Sequence, residues 1–270
     1  MAEKIRICLA GATGWTGRAL VSAIRDSDAF QVTGAVARKS AGLDLGLATG
    51  GTSMGVTVSA TVEEALKAGT DVLIDYSHPT VVKDHVLMAL RHRVPAVVGT
   101  SGLSPSDFQE IQKAAEAQGL GVIAAGNFSI TAALAKHFSL IAARYLPHWE
   151  ILDYAQADKP DVPSGTTQEL AEGLARVRKN EIVKPVGQLL GPKEARGASV
   201  AGTQIHSIRL PGYTLAFETL FGLPDERLTI RHDAGTSARP YVAGTLLAAK
   251  RVLKLQGLIR GLDDLLFRDP

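Results

Sequence analysis

A short apolar run, Ile5 to Ala10, breaks directly into Gly11-Ala12-Thr13-Gly14-Trp15-Thr16-Gly17, and the residues that follow, Leu20, Val21 and Ile24, have helical spacing. Few folds accommodate a strand, a G-x-x-G-x-x-G turn and a helix in that order. The glycines permit a tight turn and let backbone N–H groups approach a pyrophosphate, whose charge then sits at the positive end of the helix. The segment reads as the dinucleotide turn of a Rossmann-type α/β fold with a doubly wound parallel sheet, and Gly11, Thr13, Gly14, Trp15, Thr16 and Gly17 are its cofactor-binding candidates. A purely structural glycine turn is the competing reading.

Alternation of short apolar runs and helical patterns continues to about residue 128. Strand-like runs cover residues 5–10, 31–37, 55–60, 71–77, 95–100 and 121–125, several nearly unbroken in apolar residues, as strands covered on both faces should be. Between them, one helix opens at a capping-box sequence, Thr61-Val62-Glu63-Glu64, and another at Ser104-Pro105. After Asn127 the character changes. Residues 132–145 read as an apolar helix, 148–154 as a strand, a helix opens near Ser164, and 203–210, 213–221 and 226–234 read as an antiparallel meander turning at Pro211-Gly212. A chain of 270 residues exceeds one usual core, so two domains are expected. The dinucleotide domain takes residues 1–128 and 240–270, with helix 241–255 returning to it, and a smaller α+β substrate-binding and oligomerisation domain takes 129–239.

NAD-binding turns of this kind place an acidic residue about 20 positions beyond the loop to bond the ribose 2′-hydroxyl. Ala37 holds that place here, followed by Arg38 and Lys39, which removes a carboxylate that would repel a 2′-phosphate and supplies two cations to pair with it. NADPH is favoured; NADH stays compatible, because two basic residues after a strand also describe a solvated loop. Composition disfavours other partners. A net charge of +2 gives no reason to invoke nucleic acid or an anionic membrane, no apolar run is long enough to cross a bilayer, and the single cysteine, Cys8, permits no intrachain disulfide and disfavours a thiolate metal site. With no export-signal pattern ahead of the first strand, the expectation is a soluble cytoplasmic protein that acts on small molecules without a metal.

Three further motifs fall at strand ends or helix starts, where ligands collect in such sheets. Gly99-Thr100-Ser101-Gly102 closes one strand, Gly126-Asn127-Phe128-Ser129 another, and Lys159-Pro160-Asp161-Val162-Pro163-Ser164-Gly165-Thr166 leads into the helix of the second domain. Ser164, Gly165 and Thr166 offer hydroxyls and N–H groups at a helix N-terminus, a cradle for a carboxylate to which Lys159 adds positive charge. Alone, the same residues also describe an ordinary serine cap beside a surface lysine.

Together with the glycine loop, and with ERLTIRHDA at 226–234 followed by Ser237 and Arg239, these motifs make the chain resemble the dihydrodipicolinate reductases over nearly its whole length. The resemblance implies a homotetramer whose two lobes close over a nicotinamide cofactor, and hydride transfer to a cyclic unsaturated dicarboxylate of lysine and diaminopimelate biosynthesis. It further implies that Lys159 is catalytic, that Ser164, Gly165 and Thr166 bind substrate, and that Gly99, Thr100, Ser101, Asn127 and Phe128 belong to the nicotinamide pocket. The departures are specific. Where the family reads a His-His pair ahead of this motif, the chain has Ala155 and Gln156, neither of which does general acid work near neutral pH. Lys159, Tyr154, Asp158 or solvent is left to deliver the proton. Phe217 stands where the family often has histidine, and Trp15 where its glycine loop commonly has arginine. These changes keep open a diverged substrate, another carboxylate-bearing imine or carbonyl compound, and a dinucleotide-binding scaffold without turnover. His78, just past the strand at 71–77, is the one other histidine on a ligand-facing edge.

Overall fold

A computed structural model describes residues 3–267, in which the chain forms two compact units, residues 3–130 with 238–267 and residues 131–237. The first opens with β1 (Ile5–Ala10), α1 (Trp15–Arg25), β2 (Phe30–Val36), α2 (Leu45–Ala48), β3 (Val58–Ser59), α3 (Val62–Leu66), β4 (Val72–Asp75), α4 (Pro79–Arg91), β5 (Ala96–Val98), α5 (Pro105–Gln118) and β6 (Gly121–Ala124). There follow α6 (Ile130–Ala143), β7 (His148–Ala155), α7 (Gly165–Val177), β8 (Ala198–Val200), β9 (Thr203–Arg209), β10 (Leu215–Leu223) and β11 (Glu226–Ala234). The chain then returns to the first unit with α8 (Arg239–Val252), β12 (Gly257–Arg260) and α9 (Leu262–Phe267). Among the described residues no helix is long and apolar enough to cross a membrane.

The first unit holds one parallel sheet in the order β12-β6-β5-β4-β1-β2-β3. Its central strands are almost unbroken in apolar residues because both faces are covered; Ile7, Leu9, Leu73, Ile74, Val97 and Ile123 are fully buried. Winding reverses between β1 and β4, and this reversal opens a crevice at the carboxyl edge of those two strands. The run at 55–60 joins the sheet only at Val58 and Ser59, while Thr57 makes an isolated antiparallel bridge to Asp44. Ahead of it the Asp44 carboxylate gathers the N–H groups of Met54 and Gly55 (3.1 and 2.8 Å), and Gly55 takes φ +70°, so a turn replaces the start of the expected strand. At Thr61 the forward capping bond from the Glu64 N–H is present (3.3 Å). The reciprocal box forms at α5 instead, between Ser104 and Asp107. Those bonds, with Lys83 beside them, hold the Asp107 carboxyl down to about 2.

In the second unit a mixed sheet runs β11-β10-β7-β9-β8, and the expected meander is not what forms. β9 and β10 are not neighbours: β7 lies between them, parallel to β9 and antiparallel to β10. Burial fits the insertion. Alternate residues of β7, Trp149, Ile151 and Asp153, are 3%, 0% and 1% exposed, so the strand's inner face is fully covered, and with β7 paired on both sides the Pro211-Gly212 segment bridges across it rather than closing a hairpin. Ala135 and Ala142 of α6 and Leu170 and Leu174 of α7 pack with Trp149, Ile151, Phe217 and Phe221 on that face. Leu152, Ile208 and Leu220, which alternate to the other face, are half-buried.

Candidate active site

The glycine loop sits at the crevice between β1 and β4. Gly11 has φ +78°, and a Cβ there would run into the Tyr76 carbonyl at the end of β4; a Cβ on Gly17 would collide with the Gly11 carbonyl and Ala12, so α1 starts flush against the turn. Gly14 is the N-cap of α1, and no side chain caps the helix, which leaves its first-turn N–H groups for an external acceptor. Arg18 Nε donates to the Thr13 carbonyl (2.9 Å) and braces the loop. Trp15 is 52% exposed, and its ring meets that of Tyr241 edge-on at 5.7 Å. An uncapped helix N-terminus at the reversal point, approached through glycines, fits the diphosphate of a dinucleotide.

Around the same edge, fully buried Asp75 organises the loops after β4 and β5. One of its carboxylate oxygens accepts from the Ser77 N–H, Ser77 Oγ and Thr100 Oγ1 (2.8, 2.7 and 2.9 Å), the other from His85 Nδ1 (2.8 Å). Gly99 lies where a Cβ would overlap the Tyr76 ring, and Ser101 is exposed. Asn127 Oδ1 accepts from the Ser129 N–H (2.8 Å), while Phe128 is 1% exposed with its ring edge-on to Tyr76 at 6.2 Å between centroids, so it forms floor rather than open wall. Arg38 and Lys39 stand exposed on a short turn after β2, with no carboxylate partner among the described residues. His78 caps α4, its Nδ1 accepting from the Thr80 N–H. Asp75, Tyr76 and His85 were not singled out from sequence. The available signal was one acid closing an otherwise apolar strand.

In the second unit the loop from Lys159 to Thr166 hangs on Asp153. This carboxylate accepts from the Ser164 N–H and Oγ (2.8 and 2.6 Å), Ser207 Oγ (3.0 Å) and Arg209 Nη2 (2.8 Å). The Ser164 hydroxyl is thereby engaged by Asp153 instead of capping α7. Lys159 pairs with Asp161, whose carboxyl is also favoured in its charged form by the nearby Gly165 N–H, and Arg209 Nη2 holds the Asp161 carbonyl (2.8 Å). Burial pushes the Asp161 carboxyl up, but Lys159 first, and then the nearby N–H groups of Asp161 and Gly165, more than offset it and keep the group below its ordinary value. Lysine charge and the N-terminus of α7 therefore converge on one carboxylate, supplied here by the chain itself. Thr166 is half-buried in the same first turn.

Two proton-donor candidates lie elsewhere. Tyr154 alternates to the sheet face opposite Asp153, where its hydroxyl donates to Glu218 (3.1 Å) beneath the Arg231 guanidinium, 5.2 Å from the ring; burial first, then Glu218, pushes the phenol above its ordinary value. Asp158 is exposed. Phe217 shares a row with Asp153 and His232, the two rings 5.6 Å apart, and burial lowers the His232 pKa.

A parallel sheet with an open helix N-terminus at its reversal point, followed in one chain by a mixed-sheet unit, is the plan of the Rossmann-type NAD(P)H oxidoreductases, and this chain is one. Within that class, residues 5–128 match the family model for the dihydrodipicolinate reductase N-terminus, and residues 128–266 that for its C-terminus. The chain is 36% identical over 273 residues to a 4-hydroxy-tetrahydrodipicolinate reductase of Thermosynechococcus vestitus, covering 98% of both chains. It is 35% identical to one from Desulfitobacterium hafniense, covering 98% of this chain and 99% of that one. A dipicolinate-bound dihydrodipicolinate reductase from a Paenisporosarcina species superimposes with a TM-score of 0.80 at 30% identity, over 97% of this chain and 99% of that one. An amine dehydrogenase from Mycobacterium smegmatis, 16% identical at a TM-score of 0.65, shares the fold; the match covers 97% of this chain and 96% of that one. The chain belongs to the dihydrodipicolinate reductase family.

Proposed function

We propose that the protein reduces 4-hydroxy-tetrahydrodipicolinate, the substrate in its relatives' names, with NADPH in lysine and diaminopimelate biosynthesis. The convergence of Lys159 and the α7 N-terminus on one carboxylate carries this reading, since the same donors suit a dicarboxylate substrate. Bound at the crevice, the cofactor supplies the hydride. Gly11, Thr13, Gly14, Trp15, Thr16 and Gly17 hold its diphosphate side; Arg38 and Lys39, unpaired at the end of β2, favour the 2′-phosphate. Gly99, Thr100, Ser101, Asn127 and Phe128 shape the nicotinamide end, with Asp75 fixing Thr100. In the second unit Gly165 and Thr166 receive a substrate carboxylate, Ser164 sets their position through Asp153, and Lys159 both neutralises the carboxylate and carries a proton to the product. The placement of Tyr154 on the opposite sheet face, where it is bonded to Glu218, supports Lys159 in this role.

We place the protein in the cytoplasm as a homotetramer. Leu152, Ile208 and Leu220, half-buried on one face of the sheet, support contact with further copies through that face. Ala155 and Gln156, in place of the histidines, support a second reading, in which a different carboxylate-bearing imine is reduced. Substitution of Lys159 by alanine decides between site and surface roles. Turnover is expected to fall roughly 100-fold or more while NADPH affinity stays within error; parallel loss of both would contradict the assignment.

A further inference from the structure

Helix α8 begins at the carboxyl edge of the first unit's sheet. Thr245 Oγ1 meets the Tyr76 hydroxyl at 2.7 Å, a Cβ on Gly244 would strike the Phe128 carbonyl, and Tyr241, one turn earlier, sets its ring against Trp15 of the glycine loop. Tyr241 thus stands beside the reversal point, among the loops that follow β1 and β4. It is 7% exposed, and its hydroxyl is buried with no hydrogen-bond partner. Phenylalanine would fill a position of this size without an orphaned oxygen, and a buried hydroxyl left unpaired is destabilising. Among the described residues two other buried side-chain atoms share this condition. Thr70 Oγ1 lies ahead of β4, at the opposite edge of the sheet, and Arg209 Nε belongs to a guanidinium bonded through its other nitrogens. Of the three, only the Tyr241 hydroxyl belongs to a side chain that touches the dinucleotide turn, through Trp15.

We infer that the Tyr241 hydroxyl is a donor kept for the bound dinucleotide, meeting an oxygen of its ribose–diphosphate segment. Trp15, half exposed and touching Tyr241 only edge-on, is the side chain that shifts to admit the contact. The inference rests on the reading of the glycine loop as a dinucleotide site. It makes Tyr241 a binding residue on an element far in sequence from the loop, and a contact to the segment common to NADPH and NADH must serve both alike.

The test is Tyr241→Phe, read by thermal melting of the ligand-free protein and by calorimetric titration with NADPH and with NADH. Ligand-free melting is expected to stay unchanged or to rise, because an unpaired hydroxyl is removed, while both dinucleotides bind about tenfold more weakly, ~1.4 kcal/mol. Unchanged affinities beside normal wild-type binding would overturn this inference alone. So would a drop in ligand-free stability with no loss of affinity, which marks a structural hydroxyl. A wild-type protein that binds neither dinucleotide would overturn the functional reading and this inference with it.

Discussion

Replacement of Asp153 by alanine strikes the point from which the substrate loop hangs. The carboxylate is 1% exposed and accepts four hydrogen bonds, two from Ser164, one from Ser207 and one from the Arg209 guanidinium, itself only 13% exposed. Alanine leaves a buried cation without its counter-charge and frees the Ser164 turn, and removal of one member of a buried ion pair costs about 3–5 kcal/mol. That is a large share of the roughly 5–15 kcal/mol by which a domain is stable. Ser164→Ala is the control: it removes one hydroxyl donor and leaves the carboxylate its three other bonds, for about 1 kcal/mol. Trp149, buried in the second unit's core, reports its unfolding, and a Trp15→Phe background removes the other indole. Urea titration of Trp149 fluorescence should show a midpoint loss for Asp153→Ala several times that of Ser164→Ala, at equal slope. NADPH affinity should stay unchanged and the substrate KM should rise. Equal midpoints for the two variants would refute the claim that Asp153 carries the loop.

Asp161→Asn removes the carboxylate now paired with Lys159 beside the start of α7, so steady-state kinetics should give a substrate KM lowered several-fold; a raised KM would mean that Asp161 positions Lys159 instead. Asp107 has a depressed pKa, so the stabilisation from its cap is complete above the ordinary aspartate value of 3.8 and is lost as pH falls through about 2. The stability gap between wild type and Asp107→Asn, followed by acid titration of unfolding, should therefore be constant down to about pH 4 and close below it.

The parallel sheet was legible because strands covered on both faces must be apolar on both, which Ile7 to Ala10 and Val72 to Ile74 show directly. The partners of β9 and β10 were not legible: alternation tells which face a residue takes but not which strand lies beside it, and Pro211-Gly212 suits a hairpin and a bridging turn alike. In the site, motifs marked places rather than bonds. Ser164 read as a cap or a ligand because its true partner, Asp153, is 11 residues away, and the Ser207 bond to the same carboxylate spans 54. Tyr76 and Thr245 meet across 169 residues of chain, a contact that no local pattern announces. Roles such as that of Lys159 came from family resemblance, whereas its pairing with Asp161 came only from geometry.

Hydride transfer is tested most directly by mixing purified protein with NADPH and 4-hydroxy-tetrahydrodipicolinate freshly generated from pyruvate and aspartate semialdehyde, following NADPH absorbance, with NADH run alongside. Rapid oxidation is expected, faster at low cofactor concentration with NADPH than with NADH. Tight NADPH binding with no oxidation in the presence of that substrate would contradict the proposed reaction and leave the diverged-substrate reading in its place.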